Sequence, residues 1–244
     1  MGILKHILFV FLIVLSSFGT DNNKGYNDGL VLSLDMKQIG GKIVVDNTSV
    51  NYCPAFGNSF CFKNASATFV AGSFDYVDCG NNSSLNFTDQ CTISFWVKLT
   101  STLGGVCKRT TASSGFSYNA VCNSDNKLYW QLSNNGTTVA YAVLATAYPT
   151  GKWIHLSAWY YGKGTGNGGR AKIFLNGVEA TCNYSGTIPA TLYQTTTNLL
   201  VNRFNPSTYG DCNMQFLRMH NRALTLQEIR QMYVDQYNRI NQQQ

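Results

Sequence analysis

The run Cys91–Leu99, CTISFWVKL, constrains this chain more than any other stretch. Ile93, Phe95, Val97 and Leu99 fall on one face of an extended segment, and Thr92, Ser94, Trp96 and Lys98 on the other. A period of two, rich in β-branched and aromatic residues, predicts a strand with one buried face. A second run, Tyr76–Cys79, precedes it across a polar Asn/Ser/Asp loop. Short strand candidates of this kind recur about every 8–12 residues with turn chemistry between them, the pattern of a sandwich or barrel. They are Leu30–Asp35, Ile43–Asp46, Ala67–Val70, Gly105–Lys108, Phe116–Cys122, Lys127–Leu132 and Thr137–Leu144. Trp153–Tyr161, Ala171–Leu175, Val178–Cys182, Leu199–Arg203 and Asn213–His220 complete the set. Asn176-Gly177 between two of these runs predicts a type I′ hairpin, because both residues tolerate positive φ.

One helix stands out near the C-terminus. Thr225 and Glu228 form a T-x-x-E capping box, with Leu224 and Ile229 at the hydrophobic-staple positions. Ile229, Met232 and Tyr233 then share a face that can dock on a sheet. The tail Asn241–Gln244 reads as a frayed end. No internal repeat or linker interrupts the chain, and all-β units of about 200–250 residues commonly fold as one domain. The expected architecture is all-β, a two-sheet antiparallel sandwich with a short C-terminal helix.

Residues 1–19 read as a secretory signal peptide, leaving residues 20–240 as the domain. Lys5 and His6 supply a short positive region, Ile7–Leu15 an apolar run, and Ser17 and Gly19 the small residues of a cleavage site. The alternative, an uncleaved anchor, conflicts with an apolar run shorter than the roughly 20 residues a span requires. A secreted, extracellular or cell-surface location is expected, with no membrane span after cleavage. Charged residues make up only 12% of the chain, and the basic ones are scattered despite a net charge of +6. Scattered charge reads as solvated surface rather than a nucleic-acid or membrane patch.

All eight cysteines, Cys53, Cys61, Cys79, Cys91, Cys107, Cys122, Cys182 and Cys212, lie beyond this leader. An even count in an exported chain predicts disulfides. Local geometry suggests Cys53–Cys61 around a Pro/Gly loop, Cys79–Cys91 across the Asn/Ser loop and Cys107–Cys122 on consecutive strands, with Cys182–Cys212 remaining. No C-x-x-C spacing supports a zinc site. Sequons begin at Asn47, Asn64, Asn81, Asn82, Asn86, Asn135 and Asn183, candidates for glycosylation in a eukaryotic secretory pathway.

The segment Phe74–Lys98, FDYVDCGNNSSLNFTDQCTISFWVK, also resembles a motif of the laminin-G-like, concanavalin A-like jelly-roll family. So do KWIHLSAWYYG (Lys152–Gly162) with AKIFLNGVEA (Ala171–Ala180), and FLRMHNRALTLQEI (Phe216–Ile229). The three segments stand in the family's order over roughly Leu30–Tyr233. The resemblance implies a pentraxin-like jelly roll and a lectin-like module binding a carbohydrate or glycoconjugate, such as a cell-surface or matrix glycoprotein. It also implies calcium as a cofactor to be considered near the loop before the closing strand. Asp211 and Asn205 are the metal candidates there, a sparse set against the roughly 6–8 oxygens calcium takes. The candidate ligand-binding residues are Asn205, Tyr209 and Asp211 in the loop Phe204–Asp211. Trp159 is a fourth, although packing is the stronger reading for Trp96, Trp130, Trp153 and Trp159 alike.

Relatives of this fold include β-glucanases, which need two carboxylates about 5–9.5 Å apart. The chain has only two glutamates, Glu179 and Glu228, and the glucanase pattern E-x-D-x-x-E is absent. Asp75 and Asp78, three apart, point to opposite faces of a strand. His155 and His220 read as structural. No nucleophile elbow or H-E-x-x-H zinc motif is present. Gly164–Gly169 matches G-x-G-x-x-G, but a strand follows where a dinucleotide site requires a helix, so a strand–strand loop is expected. No catalytic residue is assigned. The expected function is a non-catalytic lectin-like module. The alternatives are a structural or adhesion protein of a cell or virion surface, and a glycosidase lacking the usual motif.

Overall fold

A computed structural model describes residues 25–38, 43–46, 52–56, 61–63, 66–100, 103–110, 114–205 and 207–241. At 37–38, 43–46, 52–56 and 61–63 it describes the backbone alone. The expected leader and the sequons at Asn47 and Asn64 lie outside these residues. In chain order the strands begin with β1 (Leu30–Gln38), β2 (Ile43–Asp46), β3 (Tyr52–Phe56), β4 (Cys61–Lys63), β5 (Ser66–Phe69), β6 (Tyr76–Asp78) and β7 (Gln90–Leu99). β8 (Gly104–Lys108), β9 (Phe116–Cys122), β10 (Leu128–Gly136), β11 (Ala140–Leu144) and β12 (Ile154–Tyr161) follow. A one-turn helix α1 (Gly166–Arg170) leads into β13 (Ala171–Leu175), β14 (Val178–Glu179) and β15 (Cys182–Ser185). Last come β16 (Leu200–Val201), β17 (Arg203–Asn205), β18 (Thr208–Tyr209), β19 (Cys212–His220) and the closing helix α2 (Leu226–Asn241).

These strands form two facing antiparallel sheets. One runs β14-β13-β12-β7-β19, with β5 and β1 sharing the far edge of β19. The other runs β6-β16-β8-β9-β10-β11-β15. The hairpin of β2 and β3 connects them, pairing with β1 on one side and β6 on the other. Alternation along each strand aims one apolar set inward. Ile93, Phe95 and Val97 sit opposite Ala158, Leu156 and Ile154 in register, and all six are buried. Tyr118, Ala120, Trp130, Leu132 and Ala142 from the second sheet complete the same core. Trp130 is fully buried, as the sequence predicted.

β7 departs from expectation on its other face. Thr92, Ser94 and Trp96 are as buried as the core-facing residues, because α2 lies across them. Ser94 Oγ donates to Met232 Sδ at 3.2 Å, and Trp96 Nε1 donates to Gln236 Oε1 at 2.9 Å. The Trp96 ring stacks on Tyr233 with centroids 5.6 Å apart. A bulge helps to build this second core. At Phe216, with φ of 48°, the register of β19 against β7 slips. Met214, Leu217 and Met219 therefore face the main core, while Phe216 packs with Trp96 and Ile240 under α2. The helix starts as its sequence indicates: Thr225 N donates to Glu228 Oε2 at 2.8 Å, and Glu228 N donates to Thr225 Oγ1 at 3.3 Å. Leu224 and Ile229 meet in one buried cluster. Among the described residues, no helix is long and apolar enough to cross a membrane.

The Asn176-Gly177 hairpin forms with φ of 50° and 77°, joining Leu175 to Val178. The run Val178–Cys182 proves to be two strands, β14 and β15, that belong to different sheets. β3 and β4 were hidden by the CPAFGNSFC sequence, whose Pro54 argues against a central strand. Gly164–Gly169 contains the helical turn α1 rather than an irregular loop. Arg170 Nε donates to the Gly164 carbonyl at 3.0 Å, and Asn167 ties the turn to Gly186 and Ile188. β13 begins directly after Arg170, so the segment joins two strands.

The cysteine pairing needs correction. Cys91, Cys107, Cys122, Cys182 and Cys212 carry free thiols, so Cys79–Cys91, Cys107–Cys122 and Cys182–Cys212 are not formed. Register explains the second case: Cys107 lies opposite Asn119 and Cys122 opposite Gly104, three residues apart and on opposite faces. Cys182 and Cys212 belong to different sheets. The side chains of Cys53 and Cys61 lie outside the described residues. Burial pushes the Cys107 and Cys122 thiols up to about 12 and those of Cys91 and Cys212 well above the usual range. Since the thiolate is the reactive form, these groups are inert in the native state. A thiol reagent is expected to label Cys91, Cys107, Cys122 and Cys212 only after unfolding. Peptide mapping that finds them labelled in the native protein, or joined in disulfides, would contradict this arrangement.

Candidate functional site

The loop Phe204–Asp211 was the region marked by sequence, and the structure makes it a hairpin over the outer face of the second sheet. β16 lies between β6 and β8, with Leu200 opposite both Asp78 and Cys107. At Asn202 the chain turns out of this sheet with φ of 65°. The Asn202 side chain holds the turn: its Nδ2 donates to the carbonyls of Gly210, at 2.9 Å, and Asp75, at 3.2 Å. Asn tolerates this left-handed backbone, which most side chains resist. β17 and β18 then pair as a short hairpin, Arg203 opposite Tyr209. Phe204 folds back under it to pack with Cys107 and Val121, which anchors the hairpin to the sheet.

A cleft of about 190 Å³ opens beside this hairpin, lined by Asp78, Arg109, Asn198, Leu200, Arg203 and Asn205 among others. Arg203 lies against a pair of tyrosines, its guanidinium carbon 4.9 Å from the Tyr76 ring centre and 5.7 Å from that of Tyr209. Cation–π contact of this kind holds a guanidinium flat. Phe74 meets Tyr209 edge-on at 5.4 Å, extending the aromatic cluster around Arg203. Arg109 Nε donates to the Phe204 carbonyl, which fixes the second guanidinium at the cleft wall. Asp78 accepts from Gly80 N at 2.8 Å and from Asn198 Nδ2 at 3.0 Å. The cleft is smaller than the roughly 300–1,000 Å³ of drug-sized sites, a size suited to one terminal group of a larger ligand.

The four candidate residues do not converge. Asn205 lines the cleft, and Tyr209 flanks it through Arg203. Asp211 instead braces the fold: its Oδ1 accepts from Ala71 N at 2.7 Å, and its carbonyl takes both Thr100 N and Oγ1. Trp159 sits on the outer face of the other sheet, where its Nε1 donates to the Leu224 carbonyl at 2.9 Å. It packs with Leu224, Ile229 and Met232 under α2. Sequence reading missed Arg109, Arg203, Asp78 and Asn198, which come from three separate segments and carry no common spacing.

The calcium candidates do not fit a metal. Asn205 Oδ1 accepts from Ser207 N at 2.9 Å and Ser207 Oγ at 3.3 Å, and Asp211 Oδ1 is on Ala71. Among the described residues, no group of three His, Cys, Asp or Glu could hold a metal ion. His155 and His220 are buried away from the cleft, and burial lowers them to about 3 and about 4. Of the sequons, Asn81, Asn82, Asn135 and Asn183 are exposed, while Asn86 is partly buried. Asn81 Oδ1 also accepts from the buried Lys108 Nζ at 2.8 Å.

This chain belongs to the concanavalin A-like lectin/glucanase superfamily: residues 71–230 match its third laminin-G family model. A comparison with curated proteins finds no match. Among solved structures, the binding domain of paraclostridial mosquitocidal protein 1 is similar over 87% of this chain and 53% of its own, at 14% identity and a TM-score of 0.66. The binding domain of botulinum neurotoxin DC, solved in complex with SialylT, is similar over 86% and 52% at 14% identity and a TM-score of 0.62. The same toxin domain solved with rat synaptotagmin II gives 86%, 52%, 14% and 0.60. The chain thus spans about half the length of these structures, and at this identity the likeness shows the fold alone.

Proposed function

We propose that this chain is an exported, non-catalytic, lectin-like module that binds a glycan or glycoprotein through the cleft beside the β17–β18 hairpin. The observation that carries this reading is the cleft itself, where two guanidinium groups and two carboxamides meet the apolar side chain of Leu200. Such a set suits the hydroxyl-rich edge and apolar face of a sugar. The similar toxin structures are binding domains, solved in complex with SialylT or with rat synaptotagmin II, which is in keeping with it. Hydrolysis is disfavoured because Asp78 is the carboxylate among the lining residues, whereas a glycosidase needs a pair.

A glycan array probed with the folded, full chain, with and without calcium, tests the reading. Selective retention of a glycan class is expected, unchanged by chelation. Absence of binding across the array would overturn it, and steady release of reducing ends would replace it with the hydrolase alternative.

A further inference from the structure

We infer that the cleft takes an acidic sugar, one bearing a carboxylate or a sulfate ester. This rests on the glycan-binding reading and narrows its ligand class. Two guanidinium groups line one small cleft, and its carboxylate, Asp78, is already held by Gly80 and Asn198. The ion pairs among the described residues include neither Arg109 nor Arg203. Arg203 Nε is buried without a hydrogen-bond partner. A partly desolvated cation of this kind is costly unless something anionic completes it.

Among the described residues, neither arginine is held by a counter-charge. The Tyr76 and Tyr209 rings, themselves 6.1 Å apart, both lie against Arg203, and the Phe204 carbonyl anchors Arg109 through Nε. Both guanidinium planes are therefore oriented before any ligand arrives, which lowers the entropy lost on binding. A planar fork of N–H donors matches a carboxylate or sulfate in bidentate fashion, and such charge-assisted bonds are about twice as strong as neutral ones. Half-buried Leu200 leaves apolar surface in the cleft for the ring carbons behind the acidic group. A neutral sugar would meet the same wall but leave both cations without a counter-ion.

Calorimetric titration of the full chain with matched oligosaccharides tests this. One series ends in a carboxylated sugar, one in a sulfated sugar, one in the neutral parent, and one in the methyl ester of the carboxylated sugar. We expect the acidic forms to bind at least tenfold more tightly than the neutral parent and the ester, with affinity falling as salt rises. R203Q should bring the acidic ligands down to the neutral level, and R109Q should do so in part, with both variants melting as the parent does. The ester arm needs no variant, so a misfolded mutant cannot obscure the result. Comparison of the carboxylated and sulfated series identifies which acid is read. Equal affinity for acidic and neutral ligands would overturn this inference and leave the glycan reading standing. Loss of all glycan binding would remove both.

Discussion

Acidification from pH 7 to pH 5 is expected to lower folding stability by about 4 kcal/mol, through two histidines that are buried uncharged. His155 and His220 are fully buried. His155 packs beside the stacked pair of Trp96, at 5.5 Å, and Tyr233, at 5.8 Å, with no hydrogen-bond partner on either ring nitrogen. Desolvation lowers it to about 3. Desolvation likewise lowers His220 to about 4, with Arg218 and Arg222 nearby adding to the effect. In the unfolded chain both return to about 6.5. Between these values the unfolded state binds more protons, so stability rises with pH and is lost as pH falls below about 6.5. At pH 5 the difference is about 1.5 pH units for each histidine, or about 2 kcal/mol each at 1.36 kcal/mol per unit.

Urea midpoints at pH 7, 6 and 5 measure this directly. His155→Phe keeps an aromatic ring against Trp96 and Tyr233 and removes one titrating group, so about half the pH dependence should vanish. A variant lacking both histidines that still loses the same stability at pH 5 would show that other groups are responsible.

Loss of the α2 contact should be still more damaging. Ile229, Met232 and Ile240 are buried, and the helix covers Trp96, Phe216 and Phe174 on the outer face of the first sheet. Truncating one buried aliphatic side chain to alanine costs about 2–5 kcal/mol. Ile229→Ala with Met232→Ala removes two from one cluster, against a total stability of about 5–15 kcal/mol for a typical domain. The double variant is expected to lose cooperative thermal unfolding or to melt at least 15 °C lower, a shift consistent with about 2–4 °C per kcal/mol at this size. Because Trp96 and Trp159 lie under the helix, their fluorescence should shift to the red at the same time. A double variant melting within a few degrees of the parent would mean that α2 is an accessory rather than part of the core.

Much of the architecture was legible from residues read in order. The alternation in Cys91–Leu99, the hairpin at Asn176-Gly177 and the capping box at Thr225 are local signals, set by side-chain period and backbone preference within a few residues. The strands Val178–Cys182 and Leu199–Arg203 were found as runs but not as breaks. Each is cut where the chain passes to a different sheet or hairpin, a change that depends on partners far along the chain. Part of the cleft was legible too. Asn205 and Tyr209 were marked through the family's loop, whereas Arg109 and Asp78 join them only because β8 and β6 flank β16.

By itself, then, the sequence determined where strands and the helix lie, which apolar set faces inward, and the family of fold. Only the tertiary structure decided that β7 is buried on both faces, since that required α2 to pack over residues some 130–140 positions away. It likewise decided that Cys91, Cys107, Cys122, Cys182 and Cys212 keep free thiols and that two arginines share one cleft. The physical reason is the same in each case. Period and turn chemistry act between neighbours along the chain, while thiol proximity, second-face burial and charge convergence are properties of the register between strands distant in sequence.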